Sequence, residues 1–158
     1  MAGTPDAPLG TMTTPNPPST SPRSSTRPPR ILVAEDDLEM RRLVIDSLRR
    51  DGYEVVDVSD GGQLLLRITD IFRLRPSPDP IDLILTDVQM PTCNGFDIIE
   101  GLREAHWTTP VIIMTAFGDD AARARAKTLN AVLLDKPFAM AALRAEVREL
   151  LDATKTAA

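Results

Sequence analysis

Asp87 closes the apolar run Leu83–Thr86, and Pro91 soon stops any continuation. Two other apolar runs also end in charge. Ile31–Ala34 gives way to Glu35, Asp36 and Asp37, and Val132–Leu134 to Asp135, Lys136 and Pro137. Several carboxylates gathered with one lysine would repel each other in a low-dielectric setting unless something positive joined them. A divalent cation and an incoming phosphoryl group suit such a set. The carboxylate can act as nucleophile, the ammonium as a compact counter-charge, and the oxygen-rich rim as a seat for Mg2+.

Apolar runs that empty into charge resemble parallel strands whose carboxyl ends form one crevice. The pattern predicts strands at Ile31–Ala34, Tyr53–Val58, Ile81–Thr86, Val111–Thr115 and Ala131–Leu134. Amphipathic stripes predict helices between them: Met40, Leu43, Val44 and Leu48; Leu64, Ile68, Ile71 and Phe72; Ile98, Leu102 and Ala105; and Leu143, Val147, Leu150 and Leu151. Gly118–Leu129 is the weakest helix, because its buried face would be mainly alanine. The segment RPSPDP, ending at Pro80, reads as a surface loop. Alternating strands and helices imply an α/β fold with a parallel sheet covered on both faces. Right-handed crossovers leave few orders. One is the flavodoxin-like doubly wound (βα)5 order 2-1-3-4-5, whose switch point lies beside the first and third strands, where Glu35, Asp36 and Asp87 fall.

The 158 residues suit one domain, and a formal charge of −5 disfavours nonspecific nucleic-acid binding. Cys93 is the only cysteine, so no internal disulfide or thiolate metal site can form. No apolar run approaches the ~20 residues of a membrane span, and no signal-like stretch opens the chain, which reads as cytoplasmic. Residues 1–29 are rich in Pro, Ser and Thr and form a predicted disordered tail. The folded unit is expected over 30–153, with 154–158 as a C-terminal tail.

The ordered motifs ILVAEDD, LILTDVQMP with NGF soon after, VIIMTA and DKPF resemble the response regulator receiver domain of two-component signalling. The resemblance covers about Arg30 to Leu151. It implies that Asp87 accepts the phosphoryl group, and that Asp36, Asp87 and the backbone carbonyl of Gln89 hold Mg2+. Glu35 would reach the ion mainly through water, and it stands where the family more often has aspartate. Thr115 would be the switch hydroxyl and Lys136 the phosphoryl contact, with a cis Lys136–Pro137 bond. Leu133 replaces the usual aromatic switch residue, which implies an altered output coupling, and LNAVLL is slightly shorter than the family's usual stretch. Gln89 and Phe117 would border the attacking water, and Phe117 is expected to shield the acyl phosphate.

The chemistry agrees with those roles. Phosphoryl transfer spreads charge over three oxygens, so positioning and charge neutralisation dominate. Asp37 also suits a helix cap. His106 and Trp107 read as a surface loop, and Cys93 as incidental. The expected function is a stand-alone receiver, phosphorylated by a histidine kinase or phosphotransfer protein, that controls a protein partner with no nucleic acid or membrane involved. It would be no separate enzyme, only a phosphoacceptor assisting its own phosphorylation and dephosphorylation. A phosphorylation-dependent homodimer is compatible with this. Arg123, Arg125, Lys127 and Arg144 would mark the output face or a plain solvated one. The alternative is a phosphorylation-independent interaction module. A phosphatase or mutase with Asp-x-Asp is disfavoured, because Gln89 cannot serve as a general acid.

Overall fold

The computed structural model describes Gly3 and residues 27–157; the predicted disordered tail lies almost wholly outside the described residues. The elements run β1 (Arg30–Ala34), α1 (Leu38–Arg50), β2 (Glu54–Val58), α2 (Gly61–Arg73), β3 (Leu83–Asp87), α3 (Gly95–Glu104), β4 (Val111–Thr115), α4 (Asp120–Thr128), β5 (Val132–Asp135) and α5 (Met140–Thr156). All strand pairs are parallel, in the order β2-β1-β3-β4-β5. The flavodoxin-like order expected from the sequence is the one observed.

Strand alternation divides the core into two layers. Ile31, Val33, Leu83, Leu85, Ile112 and Met114 face α1 and α5. Leu32, Ala34, Ile84, Val111 and Ile113 face α2, α3 and α4. Both faces of each central strand are therefore buried, which explains runs without polar alternation. Short polar side chains start most helices. Asp37, Asp60, Asn94 and Asp119 accept from the Met40, Gln63, Phe96 and Ala122 amides at 2.7–2.8 Å. In α4 only Ala126 is buried, in keeping with an apolar stripe made mainly of alanine.

The element ends differ from the sequence reading by a residue or two. Tyr53 donates its amide to Leu48 at the close of α1, so β2 begins at Glu54. Ile81 precedes β3, which reaches Asp87 because Asp87 pairs with Met114. Thr115 pairs with Asp135, moving β5 one residue along. Helix α5 continues to Thr156, past the boundary expected at 153.

Trp107 corrects a larger expectation. The sequence places it in a surface loop with His106, yet it is only 8% exposed. Its ring tilts against Phe72 with centroids 6.5 Å apart, and the Arg75 guanidinium sits over both rings. Arg103 donates to the Trp107, Thr109 and Leu129 carbonyls at 2.6–3.0 Å, closing the end of α3 onto the turn after α4. Burial holds the Arg103 pKa below its ordinary value. His106 itself is exposed, with a left-handed φ of 59°.

The arginines of the supposed output face are separated by ion pairs. Arg123 meets Asp135 at 2.8 Å, Arg125 meets Asp97 and Glu100 at 2.7 and 2.9 Å, and Arg144 meets Asp51 on α1. Each pair ties one element to another. Among the described residues, no helix is long and apolar enough to cross a membrane.

Two glycines of α3 separate close approach from helix propensity. A Cβ on Gly95 would lie 2.2 Å from the Asp87 carbonyl oxygen, whereas one on Gly101 would meet nothing within 4 Å. Gly95→Ala is expected to destabilise the fold by about 1–3 kcal/mol through this clash. Gly101→Ala is expected to stabilise it by about 0.5–1 kcal/mol. Urea midpoints of the two variants check both signs.

Candidate phosphoacceptor site

Register puts the charged residues at one rim. Ala34 pairs with Thr86, so Glu35 and Asp87 follow side by side at the ends of β1 and β3. Thr115 ends β4 next to Asp135, and Lys136 comes next; its amide donates to the Thr115 carbonyl at 2.7 Å. From beyond β5 the Lys136 side chain reaches back across β4, over strands spaced roughly 4.8 Å apart. Its Nζ lies 2.8 Å from Glu35 Oε2 and 2.9 Å from Asp87 Oδ2. The Lys136–Pro137 peptide is cis.

The carboxylates differ in setting. Glu35 is fully buried and accepts from Lys136 and from the Asp37 amide at 3.1 Å. Burial pushes its carboxyl pKa above the ordinary value, and neighbouring Asp87 adds to this, although Lys136 and the Asp37 amide act the other way. Burial would lower the Lys136 pKa, but its bonds to Glu35 and Asp87 outweigh that and hold the ammonium above its ordinary value. Asp87 is buried at the floor, accepting from the Gln89 amide at 3.3 Å, while Asp36 is exposed at the lip.

One carboxylate oxygen from each of Glu35, Asp36 and Asp87 lies within 4.8 Å of the others. Hard oxygen donors so close carry more negative charge than one lysine offsets, and this donor set fits a divalent cation that keeps several waters. Gln89, exposed beside it, forms a short antiparallel bridge with Asn94 that closes the β3–α3 loop. The Thr115 hydroxyl is buried one strand away. It accepts the Phe117 amide at 3.1 Å, which leaves its own proton to donate. The Phe117 ring is 72% exposed above this turn. Leu133 packs into the layer of α2, α3 and α4.

The structure thus gathers Glu35, Asp36, Asp87 and Lys136, with Thr115 at the adjoining strand end. Three supporting residues escaped the sequence reading. Thr86 bonds through its hydroxyl to the Asp87 carbonyl at 3.0 Å. Gly95 lets α3 approach that carbonyl. Arg41 donates to the Glu35 carbonyl at 2.7 Å. NGF after the strand was a signal for Gly95; Thr86 and Arg41 carried none, since their partners are distant or backbone atoms.

Lys136 and an added cation would share the same carboxylates. Lys136→Ala is therefore expected to tighten Mg2+ binding by about three- to tenfold, since a direct competing positive charge is removed. Isothermal titration calorimetry reads this, and weaker binding would contradict the electrostatic account.

Comparison with known proteins agrees with this geometry. The family model described as "Response regulator receiver domain" matches residues 31–148. The transcriptional regulatory protein CpxR of Escherichia coli is 38% identical over 123 residues, covering 77% of this chain and 49% of CpxR. The chain spans about half the length of the curated relatives it matches. Among solved structures, the Francisella response regulator 1452 receiver domain aligns with a TM-score of 0.71 at 26% identity, covering 80% of this chain and 98% of that one. The fold is shared with TrrA of Thermotoga maritima, solved in complex with Mg(2+)-BeF, at a TM-score of 0.65 and 23% identity over 77% of this chain and 98% of that one. With its strand order, its acidic rim and these matches together, the chain belongs to the response regulator receiver domain family of two-component signalling.

Proposed function

We propose that Asp87 accepts a phosphoryl group from a histidine kinase or phosphotransfer protein, with Mg2+ bound, and that the modified domain controls a protein partner. The observation that carries this reading is Lys136 Nζ bridging Asp87 and Glu35 at the rim of the sheet. In the transfer, an Asp87 carboxylate oxygen attacks phosphorus while the bond to the donor imidazole nitrogen breaks, leaving an acyl phosphate on Asp87. Lys136 already lies within hydrogen-bond reach of Asp87, so its ammonium meets a phosphoryl oxygen with little rearrangement. The Thr115 hydroxyl, which now accepts the Phe117 amide, would turn to donate its free proton to a second oxygen. Glu35, Asp36, Asp87 and the Gln89 carbonyl would hold Mg2+, which supplies charge neutralisation between two anionic reactants.

Release of the Phe117 amide as Thr115 turns would alter the β4–α4 loop, and this is the proposed origin of the signal. Leu133, packed beneath α4, would follow that loop by packing alone, having no ring or hydroxyl. The acidic balance and the internal pairing of Arg123, Arg125 and Arg144 favour a protein partner over nucleic acid for these residues. Hydrolysis of its own acyl phosphate would end the signal, so the domain acts as a phosphoacceptor and as no separate enzyme.

Incubation with Mg2+ and a small acyl-phosphate donor should add one phosphoryl mass to the wild type and none to Asp87→Asn, as read by intact mass spectrometry. An unmodified wild type, with cognate histidyl donors also inactive, would refute the reading. Phe117→Ala should lose its phosphoryl group faster than wild type; an unchanged rate would remove Phe117 as a shield.

A further inference from the structure

We propose that Arg41 is a positioning residue for the cation-binding carboxylates, an inference that rests on the metal-dependent reading above. Arg41 lies in the first turn of α1, and its side chain is only 14% exposed. Its Nη1 donates to the Glu35 carbonyl oxygen at 2.7 Å, and its Nε lies 3.2 Å from Asp57 Oδ2 on β2. The guanidinium thus joins the β1–α1 turn to the neighbouring strand through a planar, two-armed contact.

The Glu35 carbonyl belongs to the peptide that links Glu35 to Asp36. Fixing that peptide fixes the directions in which both carboxylates leave the backbone. Glu35 has further restraints, from Lys136 and the Asp37 amide. Asp36 is exposed and makes no side-chain hydrogen bond among the described residues, so its placement depends on the backbone beneath it. Arg41 acts at one remove: it touches a carbonyl, and its ionic partner Asp57 lies outside the three-carboxylate cluster.

Charge and positioning make opposite demands here. Removing a nearby guanidinium should, by electrostatics alone, tighten binding of a cation. Loss of an outer-shell support instead weakens metal binding, commonly by about tenfold or more. The sign of the change therefore separates the two roles.

The test is calorimetric titration of Mg2+ into the 158-residue chain, at a temperature where circular dichroism shows each variant folded. Arg41→Ala is expected to bind about tenfold more weakly than wild type. Arg41→Lys, which keeps the charge and loses the two-armed contact, is expected to bind more weakly as well. Affinity equal to or above that of wild type in Arg41→Ala overturns the proposal. Should Arg41→Ala fail to fold, Arg41→Lys decides alone: weaker binding supports positioning, and wild-type affinity overturns it. A wild type that binds no Mg2+ removes the underlying metal-dependent reading, a failure recognisable without any variant.

Discussion

Crowded negative charge at one end of the sheet is the constraint on which the rest of the site depends. Glu35, Asp36 and Asp87 bring three carboxylates within 4.8 Å of one another, and one ammonium spans two of them. Such a cluster is expensive to keep in a folded protein unless positive charge is supplied. The raised pKa directions of Glu35 and Lys136 are two signs of the same strain: burial disfavours the carboxylate, and the carboxylates favour the ammonium. A site with that imbalance suits an added cation.

The fold converts this electrostatic demand into geometry by register. Parallel pairing aligns Ala34 with Thr86 and Thr115 with Asp135, so residues just beyond the ladder share one edge. Core packing then holds the edge still, with β3 and β4 buried on both faces. Around the rim, small local devices set single atoms. Thr86 braces the Asp87 carbonyl, Gly95 allows α3 to come against it, and Arg41 ties the Glu35 carbonyl to β2. The Thr115 hydroxyl, held by the Phe117 amide, connects the rim to the loop leading into α4.

Much of this was legible beforehand, for a definite reason. Strands buried on both faces read as apolar runs, and the charged residues ending those runs had to lie at the same rim once the order was known. Asp37 was visible as a cap because capping is a local interaction. Trp107 was misread, since a tryptophan just after a helix looks like loop until Phe72 and Arg75 are brought against it. Arg123, Arg125 and Arg144 stand in sequence as an output face or a plain solvated one, yet each meets a carboxylate of another element. Strand ends moved by a residue because pairing with a partner, and no property of the strand itself, decides where a ladder stops.

By itself, the order of residues determined the alternation of elements, the two-sided burial of the strands and the identity of the charged groups at their ends. These follow from hydrophobic pattern and local preference, which act over a few neighbouring residues. Tertiary structure alone decided that Lys136 reaches both Glu35 and Asp87, that Arg41 grips a backbone oxygen near the lip, and that Trp107 is core. Each of these contacts joins residues far apart in the chain, or uses backbone atoms that every residue possesses. No spacing along the chain could announce them.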